Sequence, residues 1–435
     1  MPVMDATPLR IKERAFGGQQ RSIVTHRPRT FNELVMVVQQ LAVDGRPYTV
    51  VGARSNVVGA LDTDSEVVLS TELLTGVREF DGVSNIVRVG AGTLGGWLES
   101  WLAERDRTIG QFPQSLHIST VGGWLSTRAC GSWSALYGGV ERALLGARVV
   151  TAAGAVLEFG PRVRPLGGLD GLAALIGSEG SLGVVGEVTF HVHHRLPENR
   201  MCFLLPDLAA VIDAQRQLVQ GGYPVAVLRG HNVAETAHIL ADESVEECLL
   251  IVTSSGPPEL TDAHRGAIGD ALVGLGARQL PDDSAARWFE ERYAVSTMME
   301  DRNREPGSAF DTIEVSVPWS TAAACADELE ARLGPVVDRY YLHFSHPYQA
   351  GVCFYSLLWL SAHDDLAVVG KLRDAWKQVL DIVERYGGTV GHHHGVGAVR
   401  AERYGHTADA EIHRALKQAL DPRGLLTARL LGSEA

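Results

Sequence analysis

The chain has 435 residues, 45% of them hydrophobic and 21% charged, which is an ordinary globular composition over a length that suits two domains rather than one core. A formal net charge of -13 without a long basic run excludes nucleic acid and anionic membranes as expected partners. Five scattered cysteines without a CxxC pair argue against a disulfide framework and favour a reducing compartment.

The N-terminal segment from Met1 to Arg21 carries several charges and no apolar core, so it lacks the pattern of a signal peptide. No apolar run in the sequence reaches the length of a transmembrane helix. We therefore expect a cytoplasmic protein without a transmembrane segment. A homodimer is one option for its assembly.

The first predicted elements are a capped helix and a strand that leads into a loop. Thr30-Phe31-Asn32-Glu33 is a capping box, apolar residues follow it at helical spacing, and Gly45 ends the helix. Residues 47–51 predict a buried strand. The tight loop after this strand consists of Gly52, Ala53, Arg54, Ser55 and Asn56.

Short strands and a hairpin account for much of the remaining first half. Strands are predicted at Val67–Ser70 and Ile86–Val89, and Thr93 is expected to cap the helix that follows. Apolar segments at 147–151 and 155–159 flank a turn and predict a hairpin, which indicates antiparallel pairing. The GxGxxG fingerprint of parallel dinucleotide-binding sheets is absent from the sequence.

The chain changes character after Leu196-Pro197-Glu198, which marks a predicted domain boundary. From there to about Tyr386, amphipathic helices alternate with strands, a pattern that predicts a second domain of the α+β type. Examples are Leu208–Val219, Cys248–Val252, Thr312–Val317 and Ser320–Leu333.

A glycine-rich segment between Gln111 and Gly138 is the first candidate for ligand binding. Its adjacent glycines let backbone N–H groups approach a ligand closely, and hydroxyl side chains stand where a helix begins. This arrangement fits a diphosphate or a flavin edge, although glycines that only permit close helix packing give the same pattern. The candidate cofactor-binding residues here are Gln114, Ser115, Ser119, Thr120, Gly122, Gly123, Ser126, Thr127 and Gly138.

A compact turn, Gly177-Ser178-Glu179-Gly180, is the second candidate. It offers two N–H donors and a carboxylate directly before a strand predicted from Val184 to His193. As an isolated pattern it also fits an ordinary hairpin turn. Its candidate cofactor-binding residues are Glu179, Gly180, Gly183 and Val184.

Taken in order, the loop at Gly52, the glycine-rich segment and the Gly177 turn resemble FAD-binding domains of the vanillyl-alcohol oxidase type, also called the p-cresol methylhydroxylase (PCMH) type. Within this family the sequence is similar to alkyldihydroxyacetonephosphate synthase (alkylglycerone-phosphate synthase). The similar segments are residues 119–129, 177–180, 316–319, 348–355 and 387–397.

The resemblance implies an α+β flavoenzyme with a two-part FAD-binding domain of the PCMH type, at residues 1–195. An α+β substrate or cap domain follows at residues 196–386, and a C-terminal segment at 387–435 returns to the flavin. The resemblance also implies that the loop after the first strand binds the FAD pyrophosphate, with the candidate cofactor-binding residues Gly52, Ala53, Arg54, Ser55 and Asn56. It implies non-covalent FAD as well, because Arg54 stands near the position of the family's flavin-linking histidine.

His392-His393-His394 lies between glycines and is the strongest chemical signal of the second half. Groups that titrate near neutral pH suit the proton movements of a flavin reaction, whereas a solvated loop is the ordinary alternative. Related 2-hydroxyacid dehydrogenases bind zinc in these regions through histidines and a Glu-His pair. Because His393 replaces that glutamate and no carboxylate completes a set with His346, we predict no metal site.

By the same resemblance, Tyr355 matches the family's catalytic tyrosine, and Arg229 matches an active-site arginine beside the flavin. Without the resemblance, a core tyrosine and a salt-bridged arginine are the ordinary interpretations. Arg302 or Arg304 aligns with an arginine for a substrate phosphate.

The resemblance implies chemistry at flavin N5, in which an acylated dihydroxyacetone phosphate exchanges its fatty acid for a long-chain alcohol without net oxidation. Tyr355 and the three histidines would move protons, and Arg229 would hold the leaving carboxylate. An alternative keeps the fold but makes the protein an oxidase or dehydrogenase of a small alcohol, amine or 2-hydroxy acid. In both cases the substrate is a small molecule, for which an acyl chain and a phosphate are options.

Overall fold

The computed structural model describes residues 23–61, 65–164 and 167–431. The expectation that Met1 to Arg21 is not a signal peptide concerns residues outside these ranges. None of the helices in the described ranges has the length and apolar character needed to cross a bilayer.

Seventeen strands form the sheets of the described chain. In chain order they are β1 (Val24–His26), β2 (Thr49–Val51), β3 (Val67–Ser70), β4 (Val77–Asp81), β5 (Ile86–Gly90), β6 (Arg107–Thr108), β7 (Leu144–Val150), β8 (Val156–Phe159), β9 (Val184–His191), β10 (His193–His194), β11 (Glu198–Leu205), β12 (Val225–His231), β13 (Cys248–Ser255), β14 (Arg278–Leu280), β15 (Ser308–Pro318), β16 (Arg339–Ser345) and β17 (Gly351–Ser361).

Fifteen α-helices connect and cover these strands in the described chain. They are α1 (Phe31–Asp44), α2 (Gly95–Ala103), α3 (Val121–Thr127), α4 (Ser134–Tyr137), α5 (Val140–Ala143), α6 (Gly171–Leu175), α7 (Leu208–Gln220), α8 (Val233–Leu240), α9 (Pro258–Gly274), α10 (Ala286–Glu291), α11 (Val295–Arg302), α12 (Trp319–Leu333), α13 (Asp365–Arg385), α14 (Gly397–Gly405) and α15 (Ala408–Leu420).

The first half contains a small parallel sheet and a larger antiparallel one. The parallel sheet has the order β1-β3-β2, and the antiparallel sheet has the order β4-β5-β9-β7-β8. The predicted hairpin is confirmed as β7 and β8, which pair antiparallel. The parallel sheet was not predicted, because crossover connections such as α1 leave no short-range turn signal.

The predicted N-cap residue is confirmed for α1 and is wrong for α2. The Thr30 hydroxyl accepts a hydrogen bond from the Glu33 N–H at 3.2 Å, and Gly45 ends the helix in the left-handed conformation with φ 64°. Helix α2 instead begins at Gly95 with Leu94 as its N-cap, so the prediction that Thr93 caps it was wrong. The Thr93 hydroxyl oxygen instead accepts from the Gly76 N–H at 2.9 Å, while the hydroxyl donates to the Gly90 carbonyl, so the acceptor that a cap would need is used elsewhere.

The second half is built on one seven-stranded antiparallel sheet with the order β14-β11-β13-β12-β16-β17-β15. One face packs against α7, α12 and α13, whose apolar residues fill the largest core. On the other face, Trp133 from the first half packs among buried residues of β11, β12 and β13. Side chains on this face of β11, β12 and β13 are therefore directed toward the first half.

Candidate active site

The loop after β2 lies against the start of α3. A Cβ added at Gly52 would come within 2.5 Å of the Thr120 Oγ1, so only glycine allows this close approach. Arg54 adopts a left-handed conformation with φ 59°. The backbone N–H groups of Ala53, Arg54 and Ser55 have no acceptor among the described residues. A row of unused donors beside a left-handed residue is the arrangement that binds phosphate oxygens.

The predicted hydroxyls of α3 are directed mostly toward their own helix. Thr120 is the N-cap and accepts from the Gly123 N–H, whereas Ser126 and Thr127 donate to carbonyls one turn earlier. Ser119 donates to the Ser115 carbonyl. Ser119, Ser126 and Thr127 therefore use their hydroxyl protons within the protein, and the Ser119 oxygen also accepts from the Trp124 indole N–H.

The Gly177 turn joins α3 to the C-terminal segment. The Gly177 and Glu179 N–H groups donate to the carbonyls of Leu125 and Ser126. The Glu179 carboxylate accepts from the N–H groups of Val396 and Gly397, and burial raises the pKa of Glu179 to about 7. This carboxylate therefore holds the segment after the three histidines rather than facing an open space.

Asn56 makes a second link to the histidine segment. Its Oδ1 accepts from the N–H groups of Val58 and Ala60, and its Nδ2 donates to the His394 carbonyl at 3.1 Å. The Ala398 N–H also donates to the Val58 carbonyl. The two candidate cofactor loops and the histidines are thus brought together by direct hydrogen bonds.

Four polar residues form a row across neighbouring strands of the seven-stranded sheet. Tyr355 pairs with Glu314 on one side and with His343 on the other, and His343 pairs with His231. Directly opposite residues in an antiparallel sheet lie on the same face. Arg229 is two residues before His231 and therefore shares that face. All five side chains are buried.

Glu314 organises the histidine segment. Its Oε1 accepts from the backbone N–H groups of His392, His393 and His394 at 3.1, 3.2 and 3.0 Å. Its Oε2 lies 2.7 Å from Arg400, which also donates to the carbonyls of Val390 and Gly395 at the two ends of the segment. Burial alone raises the pKa of Glu314, but Arg400 and His394 outweigh it and hold that pKa well below its usual value.

Tyr355, His394 and Glu314 form a chain of contacts. The Tyr355 hydroxyl lies 2.9 Å from His394 Nε2, and His394 Nδ1 lies 2.9 Å from Glu314 Oε2. Burial, followed by the charge of Glu314, raises the pKa of Tyr355 above its usual value, so this phenol is protonated at neutral pH. A phenol, an imidazole and a carboxylate in this order can pass one proton while the carboxylate stabilises the imidazolium.

The other two histidines belong to a different chain of contacts. His392 Nε2 lies 2.6 Å from the Tyr348 hydroxyl, and its Nδ1 lies 2.7 Å from His393 Nδ1. Burial lowers the pKa of His392 to about 4 and that of His393 well below its usual value, so both rings are neutral at pH 7. Among the three predicted histidines, His394 alone hydrogen-bonds Tyr355 in the described structure.

Arg229 is part of a buried ionic cluster. Its Nη2 donates to His343 Nε2 at 2.7 Å and lies 3.9 Å from the Glu235 carboxylate. Its Nε is buried and has no hydrogen-bond acceptor among the described residues. The ordinary interpretation of a salt-bridged arginine therefore describes part of its environment, and one donor is left for a ligand.

Arg302 and Arg304 lie apart from this constellation. Arg302 pairs with Glu305 and donates to the Ser361 hydroxyl, and Arg304 pairs with Glu300. Ser361 is six residues beyond Tyr355 on β17, which corresponds to about 20 Å along a strand. Neither arginine joins the residues that surround Tyr355.

Two groups of residues in the described chain place one donor atom each within 4.8 Å of one another, as a metal site requires. They are Cys353 with His392 and His393, and Glu235 with His231 and His343. In the second group, the hydrogen bond from Arg229 leaves the ring proton of His343 on Nδ1, directed at Glu235. The expected absence of a metal stays a prediction.

Sequence reasoning missed Glu314 and Arg400, and it named Asn56 for the cofactor without predicting its hydrogen bond to the His394 carbonyl. Glu314 stands in an apolar stretch that the structure buries from both sides, and a carboxylate at such a position requires partners. That signal was present at Thr312–Val317, but the partners lie far away in sequence. Arg400 stands in a short helix of mixed composition, where an arginine is ordinary and gives no comparable signal.

Two family models match the chain. The model for the C-terminal domain of FAD-linked oxidases matches residues 197–430, and an FAD-binding domain model matches residues 23–160. The first match alone covers more than half of the 435 residues. The cofactor of the family is FAD.

Similar proteins include alkyldihydroxyacetonephosphate synthase of Dictyostelium discoideum, which is 26% identical over 91% of this chain and 71% of its own length. An uncharacterized FAD-linked oxidoreductase of Escherichia coli strain K12 is 26% identical over 76% of this chain and 72% of its own length. A solved structure of alkyldihydroxyacetonephosphate synthase superposes with a TM-score of 0.77 at 23% identity, covering 92% of this chain and 75% of that chain. p-Cresol methylhydroxylase with bound substrate gives 0.76 at 16% identity, covering 92% and 87%. These structures share the predicted PCMH-type fold.

The chain's own residues fit FAD. The unused N–H groups of Ala53, Arg54 and Ser55 suit the diphosphate, and the buried amide oxygen of Gln111 has no partner among the described residues. Tyr355 contacts His394 in the histidine segment, and Asn56 hydrogen-bonds the same segment to the loop after β2. With the two family models, these features show that the chain is a flavoenzyme and belongs to the FAD-linked oxidases.

Proposed function

We propose that this enzyme catalyses a reaction of the alkyldihydroxyacetonephosphate synthase type, in which an acyloxy group next to a carbonyl is replaced by an alcohol. The observation that carries the proposal is the contact chain from Tyr355 through His394 to Glu314. The similarity to the synthase of Dictyostelium discoideum supports it. The substrate class is a small molecule with an acyl chain and a phosphate.

In this proposal Tyr355 and His394 move the substrate protons. Tyr355 takes a proton from the substrate as it passes its own proton to His394 Nε2, and the carboxylate of Glu314 stabilises the imidazolium that results. The reverse transfer returns the proton and restores the starting state. His392 and His393 are neutral and shape the wall of the site rather than carry charge. FAD, when bound, would supply an electrophilic N5 atom for this chemistry.

Arg229 holds the carboxylate that leaves. Its Nε is the donor without an acceptor among the described residues, and a guanidinium binds a carboxylate through more than one N–H group. The departing fatty acid and the arriving alcohol balance each other, so the overall exchange needs no oxidant. We also propose that FAD is held without a covalent bond, since Arg54 occupies the place of the linking histidine.

The cofactor site in this proposal comprises the loop after β2, the N-terminal part of α3 and the Gly177 turn. The three-part division at residues 195 and 386 and assembly as a homodimer belong to the same proposal. The division is supported by the five-stranded and seven-stranded sheets, which lie on either side of residue 195.

A second candidate function is hydride transfer from a small alcohol, amine or 2-hydroxy acid to FAD. It is supported by the similarity to an FAD-linked oxidoreductase of Escherichia coli and by the membership in the FAD-linked oxidases. The same phenol and imidazole would then remove the hydroxyl or amine proton of the substrate.

Anaerobic spectroscopy separates the two functions. We expect the FAD-loaded enzyme, mixed with palmitoyl dihydroxyacetone phosphate and hexadecanol, to release palmitate while the absorption of oxidised flavin persists, because no electrons are transferred. Palmitate and the ether product are measured by mass spectrometry. The same protein without hexadecanol is the control for simple hydrolysis. Bleaching by a small alcohol or 2-hydroxy acid, with no palmitate release, would establish hydride transfer instead.

A further inference from the structure

A buried cluster contains more ionisable side chains than an arginine needs to bind an anion. Its members are Arg229, His231, Glu235 and His343. We call these four residues the Arg229 cluster. Glu235 Oε2 lies 3.0 Å from His343 Nδ1 and 3.1 Å from His231 Nδ1. The four side chains are 8% exposed or less.

The cluster combines one cation and one anion away from water. Burial raises the pKa of Glu235, but His343 and His231 outweigh it and keep that pKa well below its usual value. Glu235 is therefore ionised and stands 3.9 Å from Arg229. A buried arginine without such a neighbour would bind an anion tightly and release it slowly.

His343 fixes this carboxylate relative to the rest of the site. Because an arginine can only donate, Nε2 of His343 accepts and its proton sits on Nδ1, which donates to Glu235. The His343 ring also stacks on Tyr355, with ring centroids 4.8 Å apart and planes 12° apart. The distance between Glu235 and Arg229 is thus set by a residue packed against the proposed proton carrier.

We propose that Glu235, hydrogen-bonded to His343 and adjacent to His231, partly neutralises Arg229 and thereby weakens the binding of a substrate or product carboxylate. The weaker binding lets the leaving acid depart before the alcohol enters. This inference rests on the proposed role of Arg229. It adds a positioning function for three residues that the proposed reaction does not otherwise use.

The test measures binding rather than turnover, on FAD-loaded protein. Octanoate and its neutral analogue octanamide are titrated by calorimetry into wild type and Glu235→Gln. We expect the variant to bind octanoate about tenfold more tightly or better, because a charge at this range shifts an ionic equilibrium by one unit or more. Octanamide affinity should stay within about twofold, since the amide carries no charge for Arg229 to attract.

Two further variants make the test specific. Glu99→Gln removes another buried carboxylate, which is hydrogen-bonded to Thr108 in the first half, and it should leave octanoate affinity unchanged. Glu235→Asp keeps the charge but withdraws it by one methylene, so it should give an intermediate affinity. It also serves if Glu235→Gln does not fold.

The outcomes separate this inference from the proposed function. Octanoate affinity that is unchanged or lower in a folded Glu235→Gln holoenzyme would overturn the role of Glu235 while leaving the carboxylate site intact. If wild type binds octanoate no better than octanamide and Arg229→Met changes nothing, the proposed role of Arg229 fails as well. A stoichiometric metal in the wild type that is lost from His231→Asn would show that the cluster is a metal site, and would overturn the inference.

Discussion

Replacing Tyr355 with Phe should lower kcat by a factor on the order of 10² to 10⁴, the usual contribution of a positioned proton carrier. The substitution removes the hydroxyl that lies 2.9 Å from His394 Nε2, but it keeps the ring that stacks on His343. FAD content and unfolding midpoint should therefore stay close to those of the wild type. Turnover is measured by palmitate release, or by flavin reduction if hydride transfer is the reaction.

Tyr340 provides the matched control for this prediction. It is also a buried tyrosine of the seven-stranded sheet, but its hydroxyl pairs with Ser356 at 2.9 Å and not with a histidine. Tyr340→Phe should keep nearly full activity. If Tyr355→Phe loses less than about threefold in kcat, the phenol is not a proton carrier and the proposed chemistry needs another donor.

Replacing Glu314 with Ala should destabilise the protein by about 3 to 5 kcal/mol, the typical cost of leaving a buried ionic partner unpaired. The change leaves Arg400 without its carboxylate and removes the acceptor of three consecutive N–H groups. The turnover of the protein that remains folded should also fall, because the loop that carries His394 loses the acceptor for its N–H groups. Chemical unfolding and turnover of the folded fraction measure the two effects.

Glu187→Ala is the control for Glu314→Ala. Glu187 is a buried carboxylate on β9 that pairs with Arg78 and Arg148, so its removal should also lower stability. It has no contact with the histidine segment, and the folded fraction should stay active. Equal losses of activity in both variants would mean that Glu314 matters only for folding.

The contribution of Glu314 has a defined pH dependence. The pKa of Glu314 is lower in the folded protein than its ordinary value of 4.5, so the unfolded chain binds its proton first as the pH falls. The stability that ionised Glu314 provides is therefore complete above that ordinary value and declines as the pH falls toward its folded pKa. The stability gap between wild type and Glu314→Gln should be constant near pH 7 and shrink in acid.

Several elements of the fold could be predicted because their causes are local. The Thr30 capping box and Gly45 gave both ends of α1, and the strand that leads into Gly52 is present. The hairpin of β7 and β8 was predicted from the turn between them. The failure at Thr93 is not local, because its hydroxyl oxygen accepts from the Gly76 N–H, 17 residues earlier, rather than from the start of the helix.

The candidate site was predicted less completely than the fold. Tyr355 and His394 were named from the resemblance, and the structure places them in contact, whereas His392 and His393 hydrogen-bond to each other. The Glu179 carboxylate accepts from the N–H groups of Val396 and Gly397, and its role in cofactor binding stays a prediction. The Glu179 contacts join residues more than 200 positions apart. The Tyr355 contact depends on which of three adjacent histidine rings reaches the phenol.

By itself, the sequence predicted FAD and the family, because three motifs occur in the order of PCMH-type domains, although each motif alone also fits an ordinary backbone role. The two family models confirm both predictions. Only the tertiary structure decided which groups meet at the site. The register of three strands aligns Glu314, Tyr355 and His343, and one hydrogen bond spans the 338 positions between Asn56 and His394. Such contacts arise from the packing of distant segments, and no local pattern encodes them.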